Sequence, residues 1–474
     1  MVNKKSICLF CSLGCQVAFK TAGDHVLAID YDGPLCPRGH YNFELLNHPA
    51  RLTEPQIGER KVSWAEALAF LGHRLKEFNP DSVGIVLSAN ASNEDAYLAA
   101  KLAKVLGIKN IASAGDPADQ AAYEGGKWQV EGVNLAQLED IDNSEALLII
   151  GDILTRSPVL SKRINKVKYG KRGNQIIVID PNNSHTAWFA TTQLKNQPGT
   201  EAMLLAAMIK VVAPDKIDLN LDKAAKTIGI PKAAIEQAAK DFSAAASGTI
   251  IFAPSATIAK NDLVAYLAKV LASLSSAKKN ITFYGYGNTL GVNTVLDQML
   301  EDRVAYSDVI RKIEDGQLKA LLMLGEDISA SHPELAKKIR HLKFVAMSNY
   351  FATDLADDSR LLLPLASQME GAASYTLADG RTEQPKPVAP EVGGRTNLEI
   401  LASLLNTEIY LEKIKNETKG LLAEPTPAAS VELKEKVSEI PALSAGGSVA
   451  EQNITHFGNN SLVENFFWYR VNNG

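Results

Sequence analysis

Short apolar segments alternate along the chain with longer segments in which apolar residues recur every three to four positions. The short segments predict buried β-strands and the longer ones predict amphipathic helices. The predicted strands are Val83–Leu87, Ala146–Ile150, Ile176–Ile179, Thr249–Phe252, Ile281–Tyr284, Ala320–Leu324 and Lys343–Met347. The predicted helices between them include Asn93–Leu106, Glu201–Val212 and Leu263–Ser275. Continuous apolar strands separated by helices are typical of parallel sheets covered on both faces.

These strands are more than one compact sheet needs, so we expect an α/β protein with two lobes. The chain is expected to leave the first lobe and has the length to return to it. Residues 1–60 predict a small cap, residues 61–410 the α/β body, and residues 411–474 an extended linker or docking tail rich in Ala, Pro, Ser and Glu. The tail ends in the aromatic cluster Asn465–Tyr469, which either docks onto a partner or folds back onto its own chain.

Composition excludes several classes of protein. The chain has 474 residues, 46% of them hydrophobic and 22% charged, as in ordinary globular proteins. The net charge of −5 argues against a nucleic-acid partner, which would favour a basic surface. No apolar run is long enough to predict a membrane span. The N-terminus carries two lysines and no long apolar segment, so we expect a cytoplasmic protein.

All four cysteines lie within the first 36 residues, at Cys8, Cys11, Cys15 and Cys36. Three cysteines in one loop, followed by a distant Cys-Pro pair, indicate a [4Fe–4S] cluster. Structural zinc is an alternative, although it usually recruits two Cys-x2-Cys pairs. Disulfides are a third, and a weaker one, because four cysteines at one end of a long chain do not form a disulfide framework. A cluster would use every thiolate that the chain has.

Glycines follow several of the predicted strands, at Gly151, Gly285, Gly287 and Gly325. The carboxyl ends of parallel strands bind nucleotide-like ligands in α/β folds, although each glycine also suits a simple tight turn. No complete dinucleotide fingerprint, phosphate-binding loop, zinc-protease motif or nucleophile elbow is present.

The cysteine motif and its neighbours together resemble a known family. The segments that carry the resemblance are Cys8–Cys15, Leu35–His40, His48–Pro55, Ser63–Ala67, Ala146–Gly151, Ile176–Pro181, Gln197–Glu201 and Leu318–Glu326. They resemble the molybdopterin oxidoreductase superfamily, which includes formate dehydrogenases, nitrate reductases and the G subunit of respiratory complex I. The resemblance covers roughly residues 6 to 405 and implies the first three domains of the formate dehydrogenase and DMSO reductase fold.

The resemblance also implies cofactors and their contacts. Catalytic members hold molybdenum or tungsten between two molybdopterin guanine dinucleotides, in addition to the cluster. Gly151, Asp180 and Glu201 would occupy guanosine-contacting positions. Arg38 would take the place of the basic residue between cluster and pterin.

The sequence departs from the catalytic pattern at several places. The stretch Ile111–Pro117, where formate dehydrogenases carry the metal ligand, has no cysteine. The turn after Ile150 is Gly-Asp-Ile, and Asn182 replaces a basic residue. No C-terminal β-barrel domain is expected after residue 410. These departures, and the segment Gly285–Gly291, resemble the complex I G-subunit branch, which lacks molybdenum.

Three hypotheses follow. The first is an iron–sulfur electron-transfer and scaffold subunit with a degenerate pterin site, in a complex with other iron–sulfur and flavin subunits; no pterin dinucleotide is then required. The second is a molybdenum or tungsten subunit whose lid is a separate chain, similar to the formylmethanofuran dehydrogenase B subunit. Its metal ligand would be Asp116, Ser113 or nothing from the protein. Asp116 before Pro117 also suits a plain turn. The third is a structural protein stapled by zinc.

Overall fold

The fold was analysed in a computed structural model that describes residues 2–23, 25–30, 33–276, 278–353, 355, 360–406, 411–423, 431–438 and 440. Most of the predicted tail, including the aromatic cluster Asn465–Tyr469, lies outside these residues. Within the described part of the chain, no helix combines the length and apolar character needed to cross a membrane.

The described residues form the following elements. The strands are β1 (Val2–Ile7), β2 (Gln16–Ala22), β3 (His25–Asp30), β4 (Gln56–Ile57), β5 (Arg60–Lys61), β6 (Val83–Ser88), β7 (Asn110–Ala114), β8 (Asn134–Leu135), β9 (Ala146–Ile150), β10 (Gln175–Ile179), β11 (Thr192–Leu194), β12 (Gly248–Phe252), β13 (Lys279–Thr282), β14 (Ala320–Leu324), β15 (Phe344–Asn349), β16 (Leu361–Pro364), β17 (Tyr375–Thr376) and β18 (Thr382–Glu383). The helices are α1 (Pro37–His40), α2 (Glu44–Asn47), α3 (Trp64–Lys76), α4 (Asn93–Leu106), α5 (Pro117–Gly126), α6 (Leu138–Asp142), α7 (Ile153–Arg156), α8 (Ser161–Gly170), α9 (Glu201–Val212), α10 (Leu221–Ile228), α11 (Lys232–Ala244), α12 (Asn261–Ser273), α13 (Thr289–Met299), α14 (Tyr306–Glu314), α15 (Ile328–Ser331), α16 (Ala336–Arg340), α17 (Asn397–Leu404), α18 (Leu411–Ala423) and α19 (Leu433–Ser438).

The first lobe is built on a seven-stranded sheet of order β5-β4-β16-β15-β14-β6-β7. Its five longer strands are parallel, and β4 and β5 add antiparallel pairs at one edge. Every residue of β6, β7, β14 and β15 is buried, as expected where helices cover both faces. Residues 56–114 and 320–364 supply these strands, so the lobe is made from two separate parts of the chain.

The second lobe is built on a six-stranded parallel sheet of order β11-β10-β9-β12-β13-β8. Its strands come from residues 134–282, which lie between the two parts of the first lobe. Helices α9, α11 and α12 pack on one face with β9 and β12, and α8 packs on the other face. The chain therefore leaves the first lobe and returns to it, and the α/β class with parallel sheets that the sequence predicts is confirmed.

The N-terminal segment lies between the lobes. Strands β1, β2 and β3 form an antiparallel sheet, and the loop Cys8–Cys15 joins the first two. Cys8 and Phe10 pack with Phe351 and Met369 of the first lobe, whereas Cys11 packs with apolar residues of the second. The cysteine loop is thus held by both lobes at once.

Hydrogen bonds fix the position of this loop at Ser12. The Ser12 N–H donates to the Tyr284 carbonyl at 3.2 Å, and the Tyr284 N–H donates to Ser12 Oγ at 2.8 Å. The Ala378 N–H donates to the Ser12 carbonyl at 3.0 Å. Because paired backbone groups are costly to separate once buried, these bonds set the register of the loop against the second lobe.

Most predicted elements match the structure, and the differences have local causes. The strands Ala146–Ile150 and Ala320–Leu324 and the helices α4 and α9 have the predicted bounds. Strand β13 ends at Thr282 rather than at Tyr284, because the next residues turn toward the cysteine loop. Ser63 caps α3 as predicted, but Glu66 pairs with Arg60 instead of completing a capping box.

Helix α5 packs closely against α12, and two adjacent glycines at its end provide a test of that packing. A Cβ on Gly125 would lie 1.8 Å from the Asp262 carbonyl oxygen, whereas a Cβ on Gly126 would meet no atom within 4 Å. We expect Gly125→Ala to destabilise the protein by about 1–3 kcal/mol, because backbone must shift to admit the methyl group. Gly126→Ala should leave the thermal midpoint unchanged or slightly raised. Calorimetry of both variants checks this, and equal midpoints would contradict the close contact.

Candidate functional site

The four cysteines converge on one small cavity. Cys8, Cys11, Cys15 and Cys36 all line it, and the other lining residues include Phe10, Leu13, Leu35, Arg38, Gly39, Ser157, Pro158 and Val159. Cys8 and Cys11 are buried, whereas Cys15 and Cys36 are partly exposed. The Cys8 N–H donates to the Cys15 carbonyl at 2.8 Å. This hydrogen bond closes the loop that carries three of the four cysteines.

Burial and mutual repulsion disfavour thiolates in this cavity. Burial, followed by the charges of Cys11 and Cys15, raises the pKa of the Cys8 thiol well above its ordinary value. Burial, followed by Cys11 and Cys36, raises the pKa of the Cys15 thiol to about 12, although Arg38 opposes the shift. A cationic centre relieves this repulsion, and thiolates are the form in which cysteine binds iron. The donor set therefore fits an iron–sulfur cluster.

A single metal ion is the alternative to a cluster at the four cysteines. Within the described residues, no three His, Cys, Asp or Glu side chains lie close enough together to hold one metal ion. The four cysteine sulfurs nevertheless share a cavity. Four thiolates around a cube lie farther apart than four around one zinc ion, because the irons and sulfides of the cube separate them.

One short segment connects the cysteine cavity to a second cavity. Ser157 Oγ donates to Cys11 Sγ at 3.5 Å. The carbonyl of the preceding residue, Arg156, accepts a hydrogen bond from the Arg38 guanidinium. Arg156 itself lines the second cavity. Arg38 lies on the cysteine side of this segment, so the predicted position between two cofactor sites agrees with its contacts.

The Arg156 guanidinium forms a buried ion-pair cluster with two carboxylates. It contacts Asp116 at 2.5 Å and Asp119 at 2.6 Å. Asp116 caps α5, because its other oxygen accepts from the Ala118 N–H at 2.9 Å. Each oxygen of Asp116 therefore accepts from a protein donor, as the simple turn interpretation requires, and the residue also lines the second cavity.

Asp119 has a strongly shifted pKa. Burial raises the pKa of Asp119 to about 7, the Asp116 charge adds to the shift, and Arg156 and the Gly285 N–H oppose it. The Gly285 N–H donates to Asp119 Oδ2 at 2.7 Å. This carboxyl is thus balanced between its charged and neutral forms near neutral pH.

Gly285 and Gly287 make room for protein atoms. A Cβ on Gly285 would lie 2.9 Å from Arg156 Nη1, and a Cβ on Gly287 would lie 2.4 Å from the Leu9 carbonyl oxygen. Tyr286 between them is fully buried, and its ring lies 3.3 Å from the Cβ that Gly115 would carry. The Tyr286 ring therefore fills space beside Gly115, whereas Asp116 and Arg156 line the second cavity.

The second cavity, which we call the acidic cavity, has a volume of about 430 Å³ at the carboxyl edge of the six-stranded sheet. It brings together Gly151, Asp180 and Glu201, three of the four predicted cofactor-contacting residues. Gly151 has φ +84°, and a Cβ there would lie 2.6 Å from the Ala253 carbonyl oxygen, so this turn requires glycine. His185 and the exposed Trp188 lie at the same cavity.

Carboxylates dominate the acidic cavity. Burial raises the pKa of Asp180, although the Ser184 hydroxyl and the Asn182 N–H oppose the shift. Burial also raises the pKa of Glu201, against hydrogen bonds from its own N–H and from Asn196. Carboxylate oxygens are acceptors, so this lining suits a heterocycle with several N–H donors, such as guanine.

The two departures from the family pattern also lie at this cavity. Asp152 accepts from the Thr186 N–H at 3.2 Å and from Thr186 Oγ1 at 2.5 Å, and so ties two loops together. The Asn182 N–H donates to Asp180 Oδ1 at 2.8 Å. Asn182 stands where the resemblance implies a basic residue, and Asp152 adds a carboxylate, so this lining attracts a diphosphate less strongly.

A third cavity of about 210 Å³ lies at the carboxyl edge of the seven-stranded sheet. Its lining includes Gly325, Tyr350, Tyr375, Asp95 and Gln368. Both sheets therefore carry a cavity at the edge where α/β folds bind ligands.

Sequence reasoning missed Arg156, Asp119 and Ser157. Each lies far along the chain from its partner, and no local spacing marks it. The only available signal was a cation and a small hydroxyl residue shortly after a strand-ending glycine, which is common in α/β proteins.

Comparisons with known proteins agree with this architecture. The molybdopterin oxidoreductase family matches residues 51–407, so the chain belongs to that family. It is 27% identical over 450 residues to the F420-dependent formate dehydrogenase subunit alpha of Methanocaldococcus jannaschii, covering 80% of this chain and 66% of the relative. It is 25% identical over 520 residues to the NADPH-Fe(3+) oxidoreductase subunit alpha of Geobacter sulfurreducens, covering 94% of this chain and 60% of the relative.

A solved structure shares the fold. Acetylene hydratase from Pelobacter acetylenicus superposes with a TM-score of 0.68 at 18% identity, covering 87% of this chain and 70% of that one. The chain thus spans about two thirds or less of the length of the curated relatives named above. Their names describe subunits of oxidoreductases.

The ion-pair cluster generates a prediction on pH dependence. Arg156→Leu leaves two buried carboxyls without their cation and should cost about 3–5 kcal/mol. When the pKa of a carboxyl is higher in the folded than in the unfolded state, the protein loses stability as pH rises between the two pKa values. Without Arg156, the pKa of Asp119 should rise above its present value of about 7. The thermal midpoint of this variant should therefore be higher at pH 6 than at pH 8.

A matched variant controls for the loss of the arginine side chain. Arg156→Leu combined with Asp116→Asn and Asp119→Asn removes the uncompensated charges, so it should recover part of the midpoint and lose most of the pH dependence. An equal midpoint for Arg156→Leu at both pH values would contradict the assigned electrostatics.

Proposed function

We propose that the chain is an iron–sulfur electron-transfer and scaffold subunit of a multi-subunit oxidoreductase, with a pterin site that has lost its metal. One observation carries the proposal. Four cysteine side chains line one cavity, whereas Asp116, on the stretch that carries the metal ligand in formate dehydrogenases, is paired with Arg156 and caps α5.

The cysteine cavity supports a [4Fe–4S] cluster held by Cys8, Cys11, Cys15 and Cys36. A cluster held there supplies one-electron transfer. The residues around it have separate tasks. Ser157 donates to Cys11 Sγ and Arg38 places a cation beside Cys15, and both contacts stabilise added negative charge. Partial exposure of Cys15 and Cys36 brings the site close to the surface, as contact with a partner's redox centre requires.

The acidic cavity supports a retained place for the guanosine of a pterin dinucleotide. Asp180 and Glu201 would accept from the N–H groups of the base, and the Gly151 turn would admit the ribose without a side chain in the way. Asp116 lines the same cavity, but its ion pair with Arg156 and its capping of α5 compete with binding of a metal. No step of the proposed function therefore uses molybdenum or tungsten.

Partners and location follow from the same family. Two relatives are named as alpha subunits, of an F420-dependent formate dehydrogenase and an NADPH-Fe(3+) oxidoreductase. We propose other iron–sulfur and flavin subunits as the partners, an assembly in the cytoplasm, and a place near the complex I G-subunit branch. The proposed division into a cap of residues 1–60, a body of residues 61–410 and a docking tail of residues 411–474 belongs to the same proposal.

A molybdenum or tungsten subunit with a separate lid is the second candidate. The observation that favours it is the pair of cavities, one at the carboxyl edge of each sheet, as two dinucleotides would need. The metal ligand would be Asp116, Ser113 or no residue of the protein, and Asp116 would have to bind the metal in competition with Arg156 and the α5 N-terminus. A zinc-stapled protein is the third candidate and has only the cysteine donor set in its favour.

Metal analysis of the chain, purified without oxygen, separates these candidates. We expect about four iron atoms per chain, an electron paramagnetic resonance signal after reduction, and no molybdenum, tungsten or pterin. Stoichiometric molybdenum or tungsten with pterin would establish the second candidate instead, and zinc alone would establish the third.

Two variants link the metal to named residues. Cys11→Ser should remove most of the iron and the resonance signal while leaving the helical circular dichroism of the α/β body. Ser157→Ala should keep the iron and shift the cluster potential downward, because Cys11 loses its hydrogen bond. Full iron content in Cys11→Ser would overturn the assignment of the ligands.

A further inference from the structure

The surface beside the cysteine cavity carries a concentration of positive charge. Residues 161–173 contain six basic residues and no acidic one, in a chain whose net charge is −5. They are Lys162, Arg163, Lys166, Lys168, Lys171 and Arg172. All six lie on helix α8 or on the turn that follows it. We call these residues, together with Tyr169, the basic helix.

Neighbouring carboxylates neutralise only part of this charge. Asp142 pairs with Arg163 at 2.8 Å and with Lys166 at 3.2 Å, and Glu145 pairs with Lys171 at 2.5 Å. Two carboxylates thus face six cations. Among the contacts of the described residues, neither Lys162 nor Arg172 forms an ion pair. Most of the positive charge is left facing solvent.

Helix stability does not account for the charge. Cations near a helix C-terminus are favourable, which suits Lys168 and Lys171, but cations in the first turn oppose the helix dipole. Lys162 and Arg163 lie in the first turn of α8, which has no side-chain cap and no acidic residue. Arg163 pairs with Asp142 and donates to the Leu138 carbonyl at 3.1 Å, which ties α8 to α6. Among the described residues, Lys162 makes no such contact, so its charge has no structural partner.

The basic helix lies directly beside the cysteine site. Pro158 and Val159 line the cysteine cavity, and α8 begins two residues after Val159. Ile164 and Val167, on the inner face of α8, pack in the same apolar cluster as Cys11. Lys162 and Arg163 lie at the end of α8 nearest the cysteine cavity, and Lys171, paired with Glu145, lies at the other end. A partner that covers the whole helix would reach the wall of the cysteine cavity at the N-terminal end.

Exposed aromatic side chains accompany the charges. Tyr169 is 76% exposed on α8, and Trp188, on a turn that contacts α8, is 70% exposed. Aromatic and arginine side chains are enriched in protein interfaces. The surface is small and mostly charged rather than apolar, which suits a transient electron-transfer complex better than a permanent subunit contact.

We propose that the basic helix is the docking surface for a small acidic electron-carrier protein that exchanges electrons with the cysteine site. The proposal rests on the proposed cluster. One electron passes from the reduced iron–sulfur or flavin centre of the carrier, which is oxidised, to the cluster, which is reduced by one electron. Opposite charge on the two surfaces steers the encounter and keeps the carrier beside Val159.

Binding of a plant-type [2Fe–2S] ferredoxin, a strongly acidic carrier, tests the surface by calorimetry. We expect micromolar affinity at low salt that weakens about tenfold or more at 300 mM salt, because exposed charges are screened. The triple variant Lys162→Glu/Lys166→Glu/Arg172→Glu should bind at least about tenfold more weakly at low salt.

A control variant reverses the same number of charges elsewhere. Lys216→Glu/Lys223→Glu/Lys226→Glu changes exposed lysines on the opposite face of the six-stranded sheet and should bind the ferredoxin nearly as wild type does. Equal losses in the two triple variants would overturn the docking surface. So would tighter binding of the wild-type protein to anionic phospholipid vesicles or to RNA than to the ferredoxin.

Iron content and reduction by the ferredoxin separate this proposal from the proposed function. In one outcome the protein binds iron and is reduced by dithionite at high salt, but ferredoxin reduces Lys162→Glu/Lys166→Glu/Arg172→Glu as fast as the wild type. This outcome contradicts the docking surface and leaves the cluster intact. Salt-sensitive, variant-sensitive ferredoxin binding by a protein without iron supports the surface and contradicts the cluster.

Discussion

The arrangement of the functional region depends on one buried cation. The Arg156 guanidinium holds Asp116 at the start of α5 and Asp119 within it, while its carbonyl accepts from Arg38 beside the cysteines. Gly285, after the last long strand of the second lobe, completes the cluster through Asp119. A buried ion pair adds little net stability, because desolvation offsets the attraction, but it strongly penalises any arrangement that separates the charges. Arg156 therefore fixes the positions of the two lobes and the cysteine loop relative to one another.

The same cluster decides what chemistry the region can support. Asp116 caps a helix and pairs with Arg156, and both contacts compete with binding of a metal at the cavity that this residue lines. The Tyr286 ring occupies neighbouring space, and the glycines on either side of it admit Arg156 and the Leu9 backbone. The glycine-rich segment that resembles the complex I branch thus acts as a packing segment, whereas Gly151 still borders an open cavity.

Charge is distributed unevenly around the site. The cysteine cavity favours a cationic centre, the acidic cavity favours hydrogen-bond donors, and the basic helix favours an acidic protein surface. The small net charge of the chain does not show this uneven distribution. Acidic and basic residues balance over the whole chain but not within each region.

Local pattern in the sequence determined the α/β class, most of the long strands and helices, and the grouping of the cysteines, because strand burial, helical periodicity and motif spacing act over a few residues. Family resemblance added Gly151, Asp180 and Glu201, which the fold gathers at one cavity. Only the tertiary structure joined Arg156 to Asp116 and Asp119, brought Ser157 to Cys11 and placed α8 beside the cysteines. These contacts span tens of residues and depend on how two sheets are placed around one loop. Their geometry comes from packing and desolvation, which no local spacing encodes.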